Sequence, residues 1–319
     1  MSSGSLPVSG RCAVVVLGMH RSGTSVLASM LQALGISLGD RLVPADGNNP
    51  AGYFEHAEIV RLHQGFLDRM DRRWTGPKGT LPYPDLYWET ADGRATQAEL
   101  RKLVHTELAR SSTVWGVKDP RMSRLVKLWR PIFEVLSVRP IYLLAVRSPA
   151  SVQGSVTRRD GLSPSRAQLL WLLHNLDAVR DTWKDGISVF DYDGWFSAPR
   201  EHACRLQSLL GDAAGADSRR LTTEIEGLIQ QGLRHNQRTL ENPLPLVEET
   251  YAELLSATTS GRLSPRLLEI ESELCRATHV LNAWREVVEG ASVQAAEVTR
   301  REGRRRLAVW RGDRRRGPD

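Results

Sequence analysis

Val14-Val15-Val16-Leu17-Gly18-Met19-His20-Arg21-Ser22-Gly23-Thr24-Ser25 is an apolar run that breaks into a glycine-flanked polar loop, which leads into the periodic segment Val26–Leu34. It reads as strand, phosphate loop and helix. Unpaired N–H groups at the start of such a helix point at one cluster of anionic oxygens, and the helix dipole adds to the pull. The hydroxyls of Ser22, Thr24 and Ser25 supply further donors. A Walker loop, G-x-x-x-x-G-K-[ST], places lysine directly after its second glycine to reach the outer phosphates. Here Gly18-x-x-x-x-Gly23 is followed by Thr24-Ser25, and the cation has moved forward to Arg21. A phosphate cradle unlike that of an ATPase is expected.

The rest of the chain repeats the strand-then-helix alternation. After the first helix, Asp46–Glu55 is rich in turn formers and reads as a loop. Helical spacing follows over His56–Trp74 and again over Arg94–Arg110. Thr113–Val117 is a short buried-strand pattern ending in Lys118-Asp119-Pro120-Arg121, and the helix after it, running to Val135, is expected to bend or break near Pro131. Pro140–Val146 is a second clear strand, ending on Arg147 before Pro149 opens a helix. Ser163-Pro164 opens a longer helix to Trp183, Ile187–Asp191 is a further strand and Pro199–Leu210 a further helix. Such alternation predicts an α/β fold of P-loop type, with a mainly parallel sheet flanked by helices on both faces. Ligands bind such sheets beyond the carboxyl ends of the strands. Three of the four strands end there in anion-friendly segments.

With 319 residues, 41% of them hydrophobic, the chain can bury a full core. Residues 11–240 read as the nucleotide-binding domain and 241–319 as a helical C-terminal extension, with Ser264-Pro265 opening one helix and the basic run Arg300–Arg316 near the end. The net charge of +6 favours anionic ligands only mildly, and the basic run reads first as a solvated tail, with no nucleic-acid partner expected. Cys12, Cys204 and Cys275 are single and far apart, with no metal or disulfide spacing. No apolar run approaches the roughly 20 residues that cross a bilayer, and Met1–Gly10 lacks a secretory pattern. A cytoplasmic location is expected.

These segments together resemble the sulfotransferases that use 3′-phosphoadenosine 5′-phosphosulfate (PAPS), in particular their bacterial branch. His20, Arg21, Ser22, Gly23, Thr24 and Ser25 match the loop that in the family holds the 5′-phosphosulfate, with arginine where the hormone-type enzymes carry lysine. Arg147 and Ser155 match the family's arginine at a strand end and serine eight residues on, which bind the 3′-phosphate. Asn49-Pro50-Ala51-Gly52-Tyr53-Phe54-Glu55 and Trp115-Gly116-Val117-Lys118-Asp119-Pro120-Arg121 are similar to recurrent features of the branch. The resemblance spans Cys12 to Leu240. It implies sulfuryl transfer from PAPS to a hydroxyl of a small-molecule or carbohydrate acceptor, leaving 3′,5′-adenosine bisphosphate, with no metal required.

Within that resemblance Glu55 is the first candidate for the base, with His56, His63 and Asp46 as rivals. Arg21 would meet charge on the leaving phosphate, Lys118 the bridging or sulfonate oxygens, and Asp119 and Arg121 would orient Lys118 or the acceptor. Two other readings stay open: a P-loop kinase with Ile187–Asp191 as its acidic strand, and a non-catalytic protein that binds polyanions through the basic tail. The aromatic residues Trp74, Tyr83, Tyr87 and Trp88 are either acceptor-facing or ordinary packing.

Overall fold

A computed structural model of the chain describes residues 10–47, 49–50, 52–84, 86–111, 114–211, 239–281 and 283. The first residues of the N-terminus, Thr113, Asn48, Ala51 and the basic run Arg300–Arg316 lie outside the described residues. The chain divides into two compact units, Met1–Glu271 and Ser272–Asp319. Among the described residues no helix is long and apolar enough to cross a membrane.

Four strands form one sheet: β1 (Cys12–Leu17), β2 (Val114–Lys118), β3 (Arg139–Val146) and β4 (Ile187–Asp191). Their order is β2-β1-β3-β4, and every neighbouring pair is parallel. This is the α/β sheet that the alternation predicts. The helices between strands are α1 (Thr24–Ala33), α2 (Ala57–Arg69), α3 (Ala91–Arg110), α4 (Val126–Val135), α5 (Pro149–Asp160) and α6 (Pro164–Thr182), and after β4 come α7 (Gly194–Ser197), α8 (Pro199–Leu210) and α9 (Pro245–Ser260). Parallel strands need such crossovers, and helices on both faces explain why β1 is apolar throughout rather than alternating. All six β1 side chains are 0% exposed. Cys12, Val14 and Val16 face one layer, with Leu27, Met30 and Leu31 of α1 and Ala203, Leu206 and Leu210 of α8. Burial of each larger apolar side chain there contributes about 1.5–3 kcal/mol.

Register decides where the strands stop. Val16 pairs with Lys118, Leu17 with Leu144 and Val146 with Asp191, so Gly18, Asp119, Arg147 and Tyr192 all emerge at one edge. Gly18 itself has no alternative. Its φ is +136°, and a Cβ would stand 2.5 Å from the Ala145 carbonyl oxygen of β3. Because that neighbour is backbone and cannot swing aside, Gly18→Ala is expected to lower stability by about 1–3 kcal/mol. Urea unfolding checks this, with Gly47→Ala, which meets nothing within 4 Å, as the neutral control.

Two local expectations are corrected. The helix after β2 breaks at Leu125, not at Pro131: Asp119 accepts from the Arg121 N–H and starts a separate 3-10 turn, Pro120–Arg124, while Pro131 lies inside α4. The helix expected over His56–Trp74 stops at Arg69, where Asp71 takes a left-handed φ of 55°. Trp74 is thereby released to face elsewhere.

Candidate functional site

At the carboxyl edge of the sheet the loop after β1 runs into α1 through two left-handed residues, Arg21 at φ 70° and Gly23 at φ 89°. A non-glycine residue held there costs of order 1–3 kcal/mol and persists only when its surroundings fix it. The surroundings do so here. Arg21 Nε donates to Ser155 Oγ of α5 at 2.9 Å, and Arg147 Nη1 donates to the Arg21 carbonyl at 3.4 Å. Gly23 precedes α1 with no side chain capping the helix start. Its Cα faces Tyr192 so closely that a Cβ would stand 2.4 Å from that ring. On the β2 side Ser123 closes the loop, accepting from the Gly18 N–H at 2.7 Å and donating to the Gly18 carbonyl at 3.2 Å. Ser22 Oγ is fully buried with no hydrogen-bond partner among the described residues. A strained loop, bare helix N–H groups and an orphaned hydroxyl make a cradle that suits phosphate oxygens.

The loop borders a cavity of about 290 Å³. Among the described residues six cations line it, Arg21, Lys118, Arg121, Arg147, Arg158 and Arg159, with Glu55 as the one lining carboxylate. Burial first, then the charges of Arg159 and Arg147, push the Arg21 guanidinium below its usual range. An anion entering the cavity relieves that repulsion. The Arg147 guanidinium lies over the Tyr192 ring at 4.1 Å, and its carbonyl accepts from the Trp171 indole at 3.1 Å. Strand end, loop and α5 are therefore joined through Arg147, Arg21 and Ser155.

A chain of polar contacts forms the opposite wall. Lys118 Nζ donates to Glu55 Oε1 at 2.6 Å and to the Tyr53 carbonyl at 2.9 Å, and lies 3.4 Å from Ser25 Oγ. Arg121 Nη1 is 3.6 Å from Glu55 Oε2 and 2.8 Å from Asp119 Oδ1. The other Asp119 oxygen meets His63 Nδ1 at 2.8 Å, and the Trp129 indole N–H donates to His63 Nε2 at 2.9 Å. Indole nitrogen only donates, so His63 Nε2 accepts, its proton sits on Nδ1, and that N–H donates to Asp119. Burial alone would raise the Asp119 carboxyl; the Arg121 charge and the hydrogen bonds from His63 and the Arg121 N–H outweigh it and hold the group well below the usual carboxylate range. A depressed carboxyl contributes stability above its unfolded value of about 4, lost as the pH falls below that. Thermal unfolding as the pH falls below about 4 is thus expected to show a steep loss that Asp119→Asn makes shallower.

The predicted residues sort clearly. His20, Arg21, Gly23, Thr24, Ser25, Glu55, Lys118, Arg121, Arg147 and Ser155 all line the cavity. Asp119 is fully buried behind Arg121, and Ser22 is buried beneath the loop. Of the rival bases, His63 has both ring nitrogens engaged, His56 lies behind Glu55 on the Leu42 side, and exposed Asp46 accepts from the Tyr53 hydroxyl at 2.8 Å. Of the loop aromatics only Trp74 reaches the cavity, stacking on His20 at 4.3 Å; Trp88 packs on Phe66, and the Tyr83 ring lies under Arg124. Burial, then Arg121 and His174, push His20 well below the usual imidazole range, so it is neutral at pH 7.

Several lining residues escaped the sequence reading. Arg158 and Arg159 follow Ser155 at helical spacings of three and four, a signal that was available. Tyr192 follows the end of β4 as Arg147 follows β3. The contact of Asn49 Nδ2 with Ser25 Oγ at 3.3 Å, and the Ser123 clamp, have no local sequence signature.

No known family profile matches the chain, and no curated protein does. Among solved structures the chain is similar to the sulfotransferase STF9 of Mycobacterium avium, at 16% identity and a TM-score of 0.45 over 81% of this chain and 78% of that one. It is also similar to the sulfotransferase domain of the Synechococcus olefin synthase, at 16% identity and a TM-score of 0.39 over 77% of this chain and 97% of that one.

Proposed function

We propose that the chain transfers a sulfuryl group from PAPS to a hydroxyl of a small-molecule or carbohydrate acceptor. The observation that carries this reading is the junction of Arg147 and Ser155 with Arg21 of the loop, which offers an anion a second position at the neighbouring strand end. A nucleotide phosphorylated at both 5′ and 3′ positions needs two such positions, and a guanidinium can present paired donors to the 3′-phosphate. The uncapped start of α1 with Arg21 takes the 5′ end. Lys118, 3.4 Å from Ser25 Oγ, replaces the missing Walker lysine from another strand.

The acceptor oxygen attacks sulfur in line as the bond from sulfur to the 5′-phosphate oxygen breaks, and the products are the sulfate ester and 3′,5′-adenosine bisphosphate. Positioning and charge stabilisation supply most of the catalysis in such transfers. Sulfonate oxygens compete for Lys118 Nζ, which weakens its hold on Glu55 Oε1 and leaves that carboxylate to take the acceptor proton. Asp119, tethered by His63, which Trp129 holds in turn, fixes Arg121 beside Glu55.

The kinase alternative loses ground on topology. β4, which ends in Asp191, is separated from β1 by β3, and Asp191 Oδ2 accepts from the Gly194 N–H at 2.8 Å instead of facing the cavity. Incubation with sulfur-labelled PAPS and an extract of the source organism tests the proposal. A labelled metabolite is expected; absence of label together with magnesium-dependent ATP turnover would favour the kinase.

A further inference from the structure

Behind Glu55 the chain brings together a second group of polar side chains. The Val43 N–H donates to the Glu55 carbonyl at 2.7 Å and the Ala57 N–H to the Arg41 carbonyl at 2.8 Å, while Leu42 and His56 form an antiparallel bridge. This pairing sets Asp40 beside His56. α3 then brings Glu107 against both, with His56 Nε2 at 3.8 Å from Glu107 Oε1. One ligand atom from each of Asp40, His56 and Glu107 falls within 4.8 Å of the others.

Two observations say that this is more than a surface charge cluster. His56 is 2% exposed, and neither of its ring nitrogens has a hydrogen-bond partner among the described residues. A buried imidazole left unsatisfied is costly, and at 3.8 Å the Glu107 carboxylate does not relieve it. Gly39, at φ +99°, passes directly over the pair: a Cβ there would stand 2.8 Å from His56 Cδ2 and 3.0 Å from Glu107 Oε2. The backbone thus closes one side and leaves the exposed Asp40 to close the other.

We propose that Asp40, His56 and Glu107 bind a divalent cation of the zinc type. One neutral imidazole nitrogen and two carboxylate oxygens match the preferences of that ion, with water completing the set on the Asp40 side. The contraction needed is small, since ligands at about 2.1 Å from a common ion lie roughly 3.4 Å apart. Arg110 is the competitor. Its Nη1 lies 3.1 Å from both Asp40 Oδ2 and Glu107 Oε1, and its side chain is 52% exposed, so it can swing into water as the ion enters. A bound ion would pin residues 40–43 and 55–57 to α3 and so stiffen the segment that carries Glu55. The proposal stands whether or not the chain transfers sulfate.

Zinc titration of the metal-stripped full chain, followed by competition with a chromophoric chelator and by thermal unfolding, tests it. One equivalent is expected to bind and to raise Tm. Arg110→Ala, which removes the competing cation, is expected to bind at least about tenfold more tightly, and Asp40→Asn and His56→Gln at least about tenfold more weakly. Asp40 is exposed, so its variant reports even if the His56 variant fails to fold. Zinc that leaves the Tm of both wild type and Arg110→Ala unchanged overturns the proposal, as does binding undiminished in Asp40→Asn.

Discussion

Glu55→Gln is expected to slow sulfuryl transfer by about 10²-fold or more while leaving the affinity for 3′,5′-adenosine bisphosphate within about twofold of wild type. Glutamine keeps the shape and still accepts from Lys118 Nζ, now 2.6 Å from Glu55 Oε1, but it cannot take a proton. Because Lys118 and Arg121 both face this carboxylate, loss of its negative charge also makes the cavity more positive. That change favours anion binding, so a fall in rate with undiminished nucleotide affinity isolates the proton-transfer role. Single-turnover rates with saturating donor give the first quantity and calorimetry the second. Normal turnover would move the base to another residue, and His20, neutral and stacked on Trp74 in the same cavity, would be next in line.

Arg147→Ala is expected to weaken 3′,5′-adenosine bisphosphate by an order of magnitude or more, since a charge-assisted contact contributes roughly 1.5–3 kcal/mol. The substitution removes the group that lies over Tyr192 and donates to the Arg21 carbonyl, and it leaves the backbone carbonyl that accepts from Trp171. Two losses add on the proposed function: the contact with the 3′-phosphate, and the support of the left-handed Arg21 peptide. Adenosine 5′-monophosphate separates them. Its affinity should fall much less than that of the bisphosphate if the 3′-phosphate contact dominates, and unchanged affinity for both would remove Arg147 from the nucleotide site.

Much of this architecture is written locally. Runs such as Val14–Leu17 and Ile141–Val146, each followed by glycine or a cation and then a helix start, announce both the strands and the edge at which they end, because side-chain burial and chain-turn chemistry act over a few residues. The same locality fails where partners are far apart. Lys118 and Glu55 are 63 positions apart, Arg21 and Ser155 134, and no periodicity encodes their meeting. Proline at 131 is the louder sequence signal, yet the break falls at Leu125, because the capping carboxylate of Asp119 decides the turn. Ser155 Oγ accepts from Arg21 Nε, which still allows its own O–H to donate to a phosphate oxygen, so the loop after β1 and the helix after β3 are joined.

The most direct test of that unit is calorimetric titration of the full chain with 3′,5′-adenosine bisphosphate and with adenosine 5′-monophosphate, in the presence of a chelator. One site is expected, with the bisphosphate at least tenfold tighter, on the order of 1.4 kcal/mol or more, and no dependence on magnesium. Equal affinity for the two nucleotides, or binding that appears only with magnesium, would contradict it.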